Sequence, residues 1–174
     1  MKKHFYFIVA LLILLTSAFT AFRPSALKIS DDYSIKFDGG DPAGEFRGLR
    51  GTINFDPANL SSSKFDVTVD VATINTGNGM KNTHAKSAMW LDAEKYPVIR
   101  FTSESIVKTP EGYETKGKLS LHGVEREITL PFTFENNVFD GAFVVNRLDY
   151  NINTEEPNHG ARVLKVSIKV PVIN

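Results

Sequence analysis

The amino-acid sequence predicts an all-β fold in which an antiparallel sheet closes into a barrel. Three observations support this prediction. Apolar residues recur at every second position after about residue 26, turn-favouring segments separate these runs, and a single segment has a helical pattern. A sandwich of two sheets would show the same alternation, so the spacing alone leaves both architectures open.

The alternating runs assign one face of each predicted strand to the interior of the fold. The turn segments between them include DGGDPAGEFRG, DPANLSSS, TGNGMKN and EEPNHG. The predicted inward positions are Tyr33, Ile35, Phe37; Ile53, Phe55; Phe65, Val67, Val69, Val71; Ile99, Phe101; Tyr113, Leu119, Leu121; Ile128, Leu130, Phe132, Phe134; Phe139, Phe143, Val145; and Leu164, Val166, Ile168, Val170, Val172.

One segment, NTHAKSAMWLDAEKYP, departs from the strand pattern. Asn82 or Thr83 could cap a short helix that runs to about Leu91, and Pro97 prevents a helix from continuing beyond Tyr96. Such a helix would lie across one end of a barrel. It would supply candidate entrance residues, which are Met89, Trp90 and Leu91.

The stretch GKLSLHGVEREITLPFTF predicts a hairpin with a two-residue turn at His122 and Gly123. Glycine accepts a positive φ freely, and histidine is among the few other residues enriched there. This turn sets a register that puts the apolar residues on one face and places Lys118 opposite Glu127. His122 is therefore predicted to be a turn residue.

Arg126 and Arg147 are charged residues that share the inward parity near the ends of predicted strands. Their aliphatic stems could pack at the rim while the guanidinium groups reach water. Alternatively, one of them recognises the polar end of a ligand. The sequence leaves both interpretations open.

Gly117 and Gly141 interrupt the large side chains on the inward face. An inward glycine either leaves volume for a ligand or marks a bend or bulge in a solid core. The parity pattern does not decide between a cavity and a solid core.

The N-terminus has the layout of a secretory signal peptide. Lys2 and Lys3 precede the apolar run FYFIVALLILL, and small residues follow. We expect a signal peptide over residues 1–18, with cleavage as late as about residue 22, and one domain over residues 26–174. The protein is thus predicted to be exported to the periplasm, the alternative being an uncleaved anchor in the inner membrane.

Composition argues against several classes of function. Twenty Lys plus Arg balance twenty Asp plus Glu, so no net charge attracts nucleic acid, and after signal cleavage no stable membrane insertion is expected. The absence of cysteine excludes disulfides and thiolate catalysis. His84, His122 and His159 lack the spacing of a zinc site, and no GxSxG motif is present, so neither catalysis, metal nor cofactor is predicted.

Several sequence blocks together closely resemble the YceI-like family of exported lipid- or polyisoprenoid-binding proteins. They are GEFRGLRGTINFDPANLSSSKFDVTVDVATINTG, AEKYPVIRFTSESI, YETKGKLSLHGVEREITLPFTF, NRLDYNIN and VLKVSIKVPV. The resemblance implies a lipocalin-like barrel of about eight strands with a short helical segment near its mouth. It also implies an elongated apolar cavity for an isoprenoid or acyl chain, and a homodimer, since several members are dimers. The stretch DDYSIKFDGGDPAGEF departs from the family, because Tyr33 stands where a histidine is common.

The predicted function is non-catalytic binding, storage or transport of a long-chain amphiphile such as a polyisoprenoid, an isoprenoid quinone or a fatty-acid-like lipid. Bound lipid would be the ligand, with no other cofactor. Two alternatives are a carbohydrate-binding sandwich that stacks sugars on Trp90, Tyr96 and Tyr113, and, ranked lower, a hydrolase using loop His and Glu residues. The predicted ligand-binding residues are Phe37, Ile53, Phe55, Val67, Val69, Met89, Trp90, Leu91, Phe101, Gly117, Leu119, Arg126, Leu130, Phe132, Gly141, Phe143, Val145 and Arg147.

Overall fold

The computed structural model describes residues 26–173, so the predicted signal peptide over residues 1–18 lies outside the described residues. Ten strands form in the described part of the chain: β1 (Lys28–Ile29), β2 (Ser34–Asp38), β3 (Ala43–Phe46), β4 (Arg50–Asn54), β5 (Lys64–Asp70), β6 (Val98–Thr109), β7 (Gly112–Leu121), β8 (Val124–Glu135), β9 (Val138–Asn146) and β10 (Val163–Ile173). One helix, α1 (Gly79–Ala85), and three short 3₁₀ turns (Leu60–Ser62, Val71–Thr73 and Arg147–Tyr150) complete the fold.

All strand pairs are antiparallel, and the strands follow the order β3-β2-β10-β9-β8-β7-β6-β5-β4, with β1 added against β10. The two ends of this curved sheet are joined by isolated bridges. The Leu27 amide donates to the Ile53 carbonyl at 2.8 Å, and Glu45 exchanges two hydrogen bonds of 2.9 Å with Asn75. The predicted all-β barrel architecture is confirmed, and one continuous sheet replaces the sandwich alternative.

The structure has ten strands where about eight were expected, and the short strands β1 and β3 account for the difference. The stretch DGGDPAGEFRG, predicted as a turn, contains β3, which pairs with β2. Gly44 permits this pairing because any Cβ there would lie 2.8 Å from Cζ of Phe37 and 2.5 Å from the Asn75 carbonyl oxygen. A four-residue edge strand is too short for a period-two alternation to be recognised in its sequence.

The β7–β8 hairpin has the predicted register, including Leu121 opposite Val124. His122 and Gly123 adopt φ values of 52° and 73°, as a two-residue turn of this kind requires. Lys118 lies opposite Glu127, as predicted, but the two side chains form no ion pair. Lys118 instead reaches Glu125 at 3.3 Å and Glu104 on β6 at 3.8 Å, since its long side chain spans diagonal neighbours.

The helix begins earlier than predicted. Asn78 caps α1, its Oδ1 accepting from the amides of Met80 at 2.9 Å and Lys81 at 3.1 Å. Asn82 lies inside the helix, where its Oδ1 accepts from the amide and hydroxyl of Thr76, both at 2.8 Å. The chain after Ala85 forms consecutive turns, so no helix continues to Leu91. No helix within residues 26–173 has the length and apolar character to cross a membrane.

We expect Asn78→Ala to destabilise α1 by about 0.5–2 kcal/mol, because two amides of its first turn lose their acceptor. Hydrogen exchange of the amides of residues 79–85 measures this loss directly. Asn75→Ala is a nearby control, because the Asn75 side chain accepts from Gly77 outside the helix. Equal exchange of α1 in the two variants would contradict the capping assignment.

Candidate functional site

The barrel encloses an apolar cavity of about 490 Å³. Side chains from nine strands, β2 to β10, form its wall, and the apolar ones on every strand except β3 follow the alternation predicted from the sequence. The apolar strand residues that line the cavity are Ile35, Phe37, Phe46, Ile53, Phe65, Val67, Val69, Ile99, Phe101, Leu119, Leu121, Ile128, Leu130, Phe132, Phe139, Phe143, Val145, Leu164, Val166, Ile168 and Val170.

An aromatic cluster closes one end of the cavity. Phe132, which lines the cavity, has ring centroids 5.8 Å from Phe55, 5.7 Å from Phe65 and 5.8 Å from Phe139. Tyr113 stacks on Phe132 at 5.4 Å. Edge-to-face and offset packing of this kind adds to the stability gained by burial. This closed end offers a bound molecule only hydrocarbon surface.

The opposite end carries polar side chains, and we call it the mouth. It is formed by six lining residues: Asp41, Lys81, His84, Trp90, Arg147 and His159. Four of these, all except Trp90 and Arg147, are exposed to solvent. The cavity is therefore amphipathic along its length, apolar at the closed end and polar where water reaches it.

Helix α1 and the turns that follow it cover the mouth. Lys81 on α1 forms an ion pair of 2.7 Å with Asp41 on the β2–β3 loop. Trp90 Nε1 donates to His84 Nε2 at 3.0 Å, so a neutral His84 carries its proton on Nδ1. The Trp90 ring also meets His159 edge-on, with centroids 6.0 Å apart. These contacts connect α1 to both loops of the opposite rim.

Arg147 is buried, with 3% of its surface exposed, and it organises the loop of residues 151–162. Its guanidinium donates to six backbone carbonyls, at 2.7–3.3 Å, belonging to Ile152, Asn153, Glu156, Pro157, His159 and Ala161. The prediction that Arg147 extends to water at the rim is wrong, because the loop folds over it. All its N–H donors are used within the protein.

The charge of Arg147 has no carboxylate partner within ion-pair distance among the described residues. Burial lowers its pKa, and the neighbouring Arg162 cation lowers the pKa further. The guanidinium carbon lies 5.3 Å from the centroid of the Trp90 ring, which faces the cation. Arginine stays protonated at any physiological pH, so a net positive charge persists beside the cavity.

Arg126, the other charged residue on the inward parity, does not line the cavity. Its side chain is exposed, and Nε donates to the Asp149 carbonyl at 2.6 Å. The 3₁₀ turn Arg147–Tyr150 lies beside the hairpin tip, where His122 Nδ1 also contacts the Tyr150 carbonyl at 3.0 Å. Arg126 and His122 thus hold this turn against the β7–β8 hairpin.

Most of the predicted ligand-binding residues lie on the cavity wall, although their role toward a ligand stays a prediction. Those on the wall are Phe37, Ile53, Val67, Val69, Trp90, Leu91, Phe101, Leu119, Leu130, Phe132, Phe143, Val145 and Arg147. The structure places five others elsewhere: Phe55, Met89, Gly117, Arg126 and Gly141. Phe55 lies behind Phe132 in the aromatic cluster, and Met89 is half exposed beside a shallow outer cleft.

The two inward glycines leave no space for a ligand. A Cβ on Gly117 would lie 2.8 Å from Cζ of Phe101 and would collide with the Thr102 carbonyl. A Cβ on Gly141 would lie 2.6 Å from the Pro131 carbonyl oxygen. Both glycines therefore allow close approach of neighbouring strands, and neither of them lines the cavity.

Sequence reasoning did not assign several lining residues to the site. The alternation marked Ile128 and the β10 residues Leu164, Val166 and Ile168 as inward, which was the available signal. No sequence pattern marked Asp41 and Lys81 as lining residues, since they are forty residues apart and meet only in the folded chain. Residues 26–173 contain no cluster of three or more His, Asp or Glu side chains suited to a metal ion.

The aromatic platform of the carbohydrate-binding alternative does not form. Trp90 lines the mouth, and Tyr113 stacks in the closed end of the cavity. Tyr96 packs edge-on against His122 at 4.9 Å between ring centroids. The three rings thus occupy separate environments, and no shared surface is available to stack sugars.

An antiparallel barrel of the lipocalin-like kind, with an apolar interior and one polar end, is the class that this fold and site define. The family model described as the YceI-like domain matches residues 23–173, and the chain belongs to this family. Proteins named YceI from Escherichia coli O157:H7 and Shigella flexneri are 30% identical, and the match covers 64% of this chain and 64% of each relative.

Solved structures share the fold. BcnA of Burkholderia cenocepacia superposes with a TM-score of 0.74 at 25% identity, covering 82% of this chain and 96% of that one. The Campylobacter jejuni YceI protein gives 0.65 at 23% identity, covering 78% and 86%. A polyisoprenoid-binding domain from Saccharophagus degradans gives 0.60 at 16% identity, covering 83% and 95%.

Proposed function

We propose that this protein binds one long-chain amphiphile inside the barrel and acts as a carrier or store without catalysing a reaction. The observation that supports the proposal is the 490 Å³ cavity, whose wall is almost entirely apolar. Ligand sites typically occupy about 300–1,000 Å³, so the cavity has a suitable size. Its amphipathic length fits a hydrocarbon chain with one polar end.

Burial of the chain supplies enough free energy for tight binding without a catalytic constellation. Each buried methylene contributes about 0.8 kcal/mol, so ten methylenes give roughly 8 kcal/mol before the costs of association and ordering. A structural neighbour, the polyisoprenoid-binding domain from Saccharophagus degradans, favours isoprenoid or acyl chains as the ligand class. Export through the predicted signal peptide, residues 1–18, would place this binding activity in the periplasm, and a homodimer is the proposed assembly.

We expect Val166→Trp to reduce uptake of a long-chain probe by at least tenfold. Val166 lines the cavity from β10, and the added indole would occupy space that the chain needs. The fluorescence of a polyene fatty acid, which changes when the acid binds, measures the affinity. Native mass spectrometry of the purified protein identifies any ligand carried through purification.

Val163→Trp is the matched control on the same strand. Val163 is 54% exposed and belongs to the outward parity of β10, so its replacement should leave uptake unchanged. Equal uptake by both variants would contradict binding inside the barrel. Absence of probe binding by the unmodified protein, with no lipid in its organic extract, would refute the proposed function.

A further inference from the structure

The charged side chains around the cavity are unbalanced, and the excess is positive. Lys36, Lys81 and Arg147 line it, whereas Asp41 is the carboxylate among the lining residues. Glu155 and Glu156, the acidic residues on the loop of residues 151–162, do not line the cavity, and a Glu156 carboxylate oxygen lies 3.3 Å from His159 Nδ1.

Arg147 is the most buried of these charged residues. Six carbonyl dipoles solvate its guanidinium, but dipoles leave the net charge of the group unchanged. A charge held at low dielectric acts over a longer distance than an exposed one, which salt screens. Arg162 adds a second cation close enough to lower the pKa of Arg147.

The donors that can contact a ligand are at the mouth and differ from Arg147, whose N–H groups are all used. Lys81 is held only by its ion pair with Asp41, in which the two side chains are 52% and 77% exposed. Exposed pairs of this kind contribute about 0–1 kcal/mol, so Lys81 can exchange partners at little cost. His84 offers its Nδ1–H, because Trp90 fixes Nε2 as an acceptor.

We infer that the amphiphile binds with an anionic oxygen head group, a carboxylate or phosphate ester, at the mouth between Lys81 and His84 and in the field of Arg147. The hydrocarbon end then lies against the aromatic cluster around Phe132, which offers no polar partner. This inference rests on the proposed function, since it specifies the polar end of the same ligand.

The test compares ligands that share a twelve-carbon chain and differ in the head group. Dodecanoate, dodecyl phosphate, dodecanol and dodecylamine each displace N-phenylnaphthylamine, a neutral apolar probe, at about pH 8, where the acids and the amine are ionised. We expect the two anions to bind at least tenfold more tightly than dodecanol, and dodecylamine to bind most weakly. The ratio between the two anions identifies which oxygen head group the mouth prefers.

Two variants at the mouth should change this selectivity in opposite directions. Asp41→Asn removes the carboxylate that competes for Lys81, so the anion-to-alcohol affinity ratio should rise several-fold. Lys81→Gln removes a donor and a charge, so the ratio should fall several-fold. Affinity for dodecanol is measured in each variant as the internal reference, so that the ratio reports the effect of the head-group charge.

Equal affinity for dodecanoate, dodecyl phosphate and dodecanol would overturn the inference, as would tightest binding of dodecylamine. Both results leave the apolar cavity in use and the proposed function intact. Failure of the neutral probe and of all four ligands to bind would instead refute the proposed function, and the inference with it.

Discussion

Replacing Arg147 with methionine should destabilise the protein by about 3–5 kcal/mol and unfold the loop of residues 151–162. The methionine keeps much of the aliphatic stem but donates no hydrogen bond, so six carbonyls of the loop lose their partner. Each buried acceptor left without a donor costs about 1–3 kcal/mol, and hydration of the carbonyls in the opened loop offsets part of the total cost for the six. Urea denaturation measures the loss of stability.

Two further variants separate the hydrogen-bonding role of Arg147 from its charge. Arg147→Lys keeps the charge but offers fewer donors in a different geometry. The stability of this variant should therefore lie between that of the methionine variant and that of the unmodified protein. Arg126→Met removes an exposed arginine with one hydrogen bond and should cost less than about 1 kcal/mol. A cost below about 1 kcal/mol for Arg147→Met as well would show that the loop does not depend on the guanidinium.

The sequence predicted the β7–β8 hairpin down to its register because local chemistry determines it. Gly123 tolerates positive φ, and the alternation on both sides allows one pairing that buries a single face. The same alternation predicted the lining residues of the long strands. Position 44 shows the limit, because β3 is too short for a period and its pairing depends on contacts with distant residues.

The role of Arg147 had no local signal. Its six carbonyl partners come from an irregular loop, and the first of them is five residues later, so no spacing rule connects them. The start of α1 was missed for another reason, since Asn78 and Asn82 are equally good caps by residue type. Only the fold assigns the Asn82 side chain to Thr76 and leaves Asn78 to the helix.

The mouth was the least predictable part of the site. Asp41 and Lys81 lie in segments that read as a turn and as the region before a helix, and both are ordinary surface residues by composition. His84 and Trp90 meet through turns after α1, in a segment that was expected to be helical. The apolar residues of the wall recur at every second position along each long strand, so the sequence predicts them. The polar end is assembled from loops that are distant in the sequence, so no local pattern predicts it.

Phe132→Ala should destabilise the fold by about 3–5 kcal/mol and extend the cavity into the aromatic cluster. Phe132 is 5% exposed and contacts rings on four sides, so truncation removes buried surface and leaves a void. The void is continuous with the cavity, because Phe132 itself lines it. Urea denaturation measures the first effect.

The second effect is a shift in chain-length preference. Each additional methylene that enters the enlarged cavity contributes about 0.8 kcal/mol, roughly fourfold in Kd, so longer alkyl chains should gain over shorter ones. Phe134→Ala is the matched control, because Phe134 has the same parity on β8 and packs against Phe139 at 4.4 Å but does not line the cavity. It should lower stability without changing the preferred length. An unchanged preference in Phe132→Ala would mean that the hydrocarbon end does not reach the aromatic cluster.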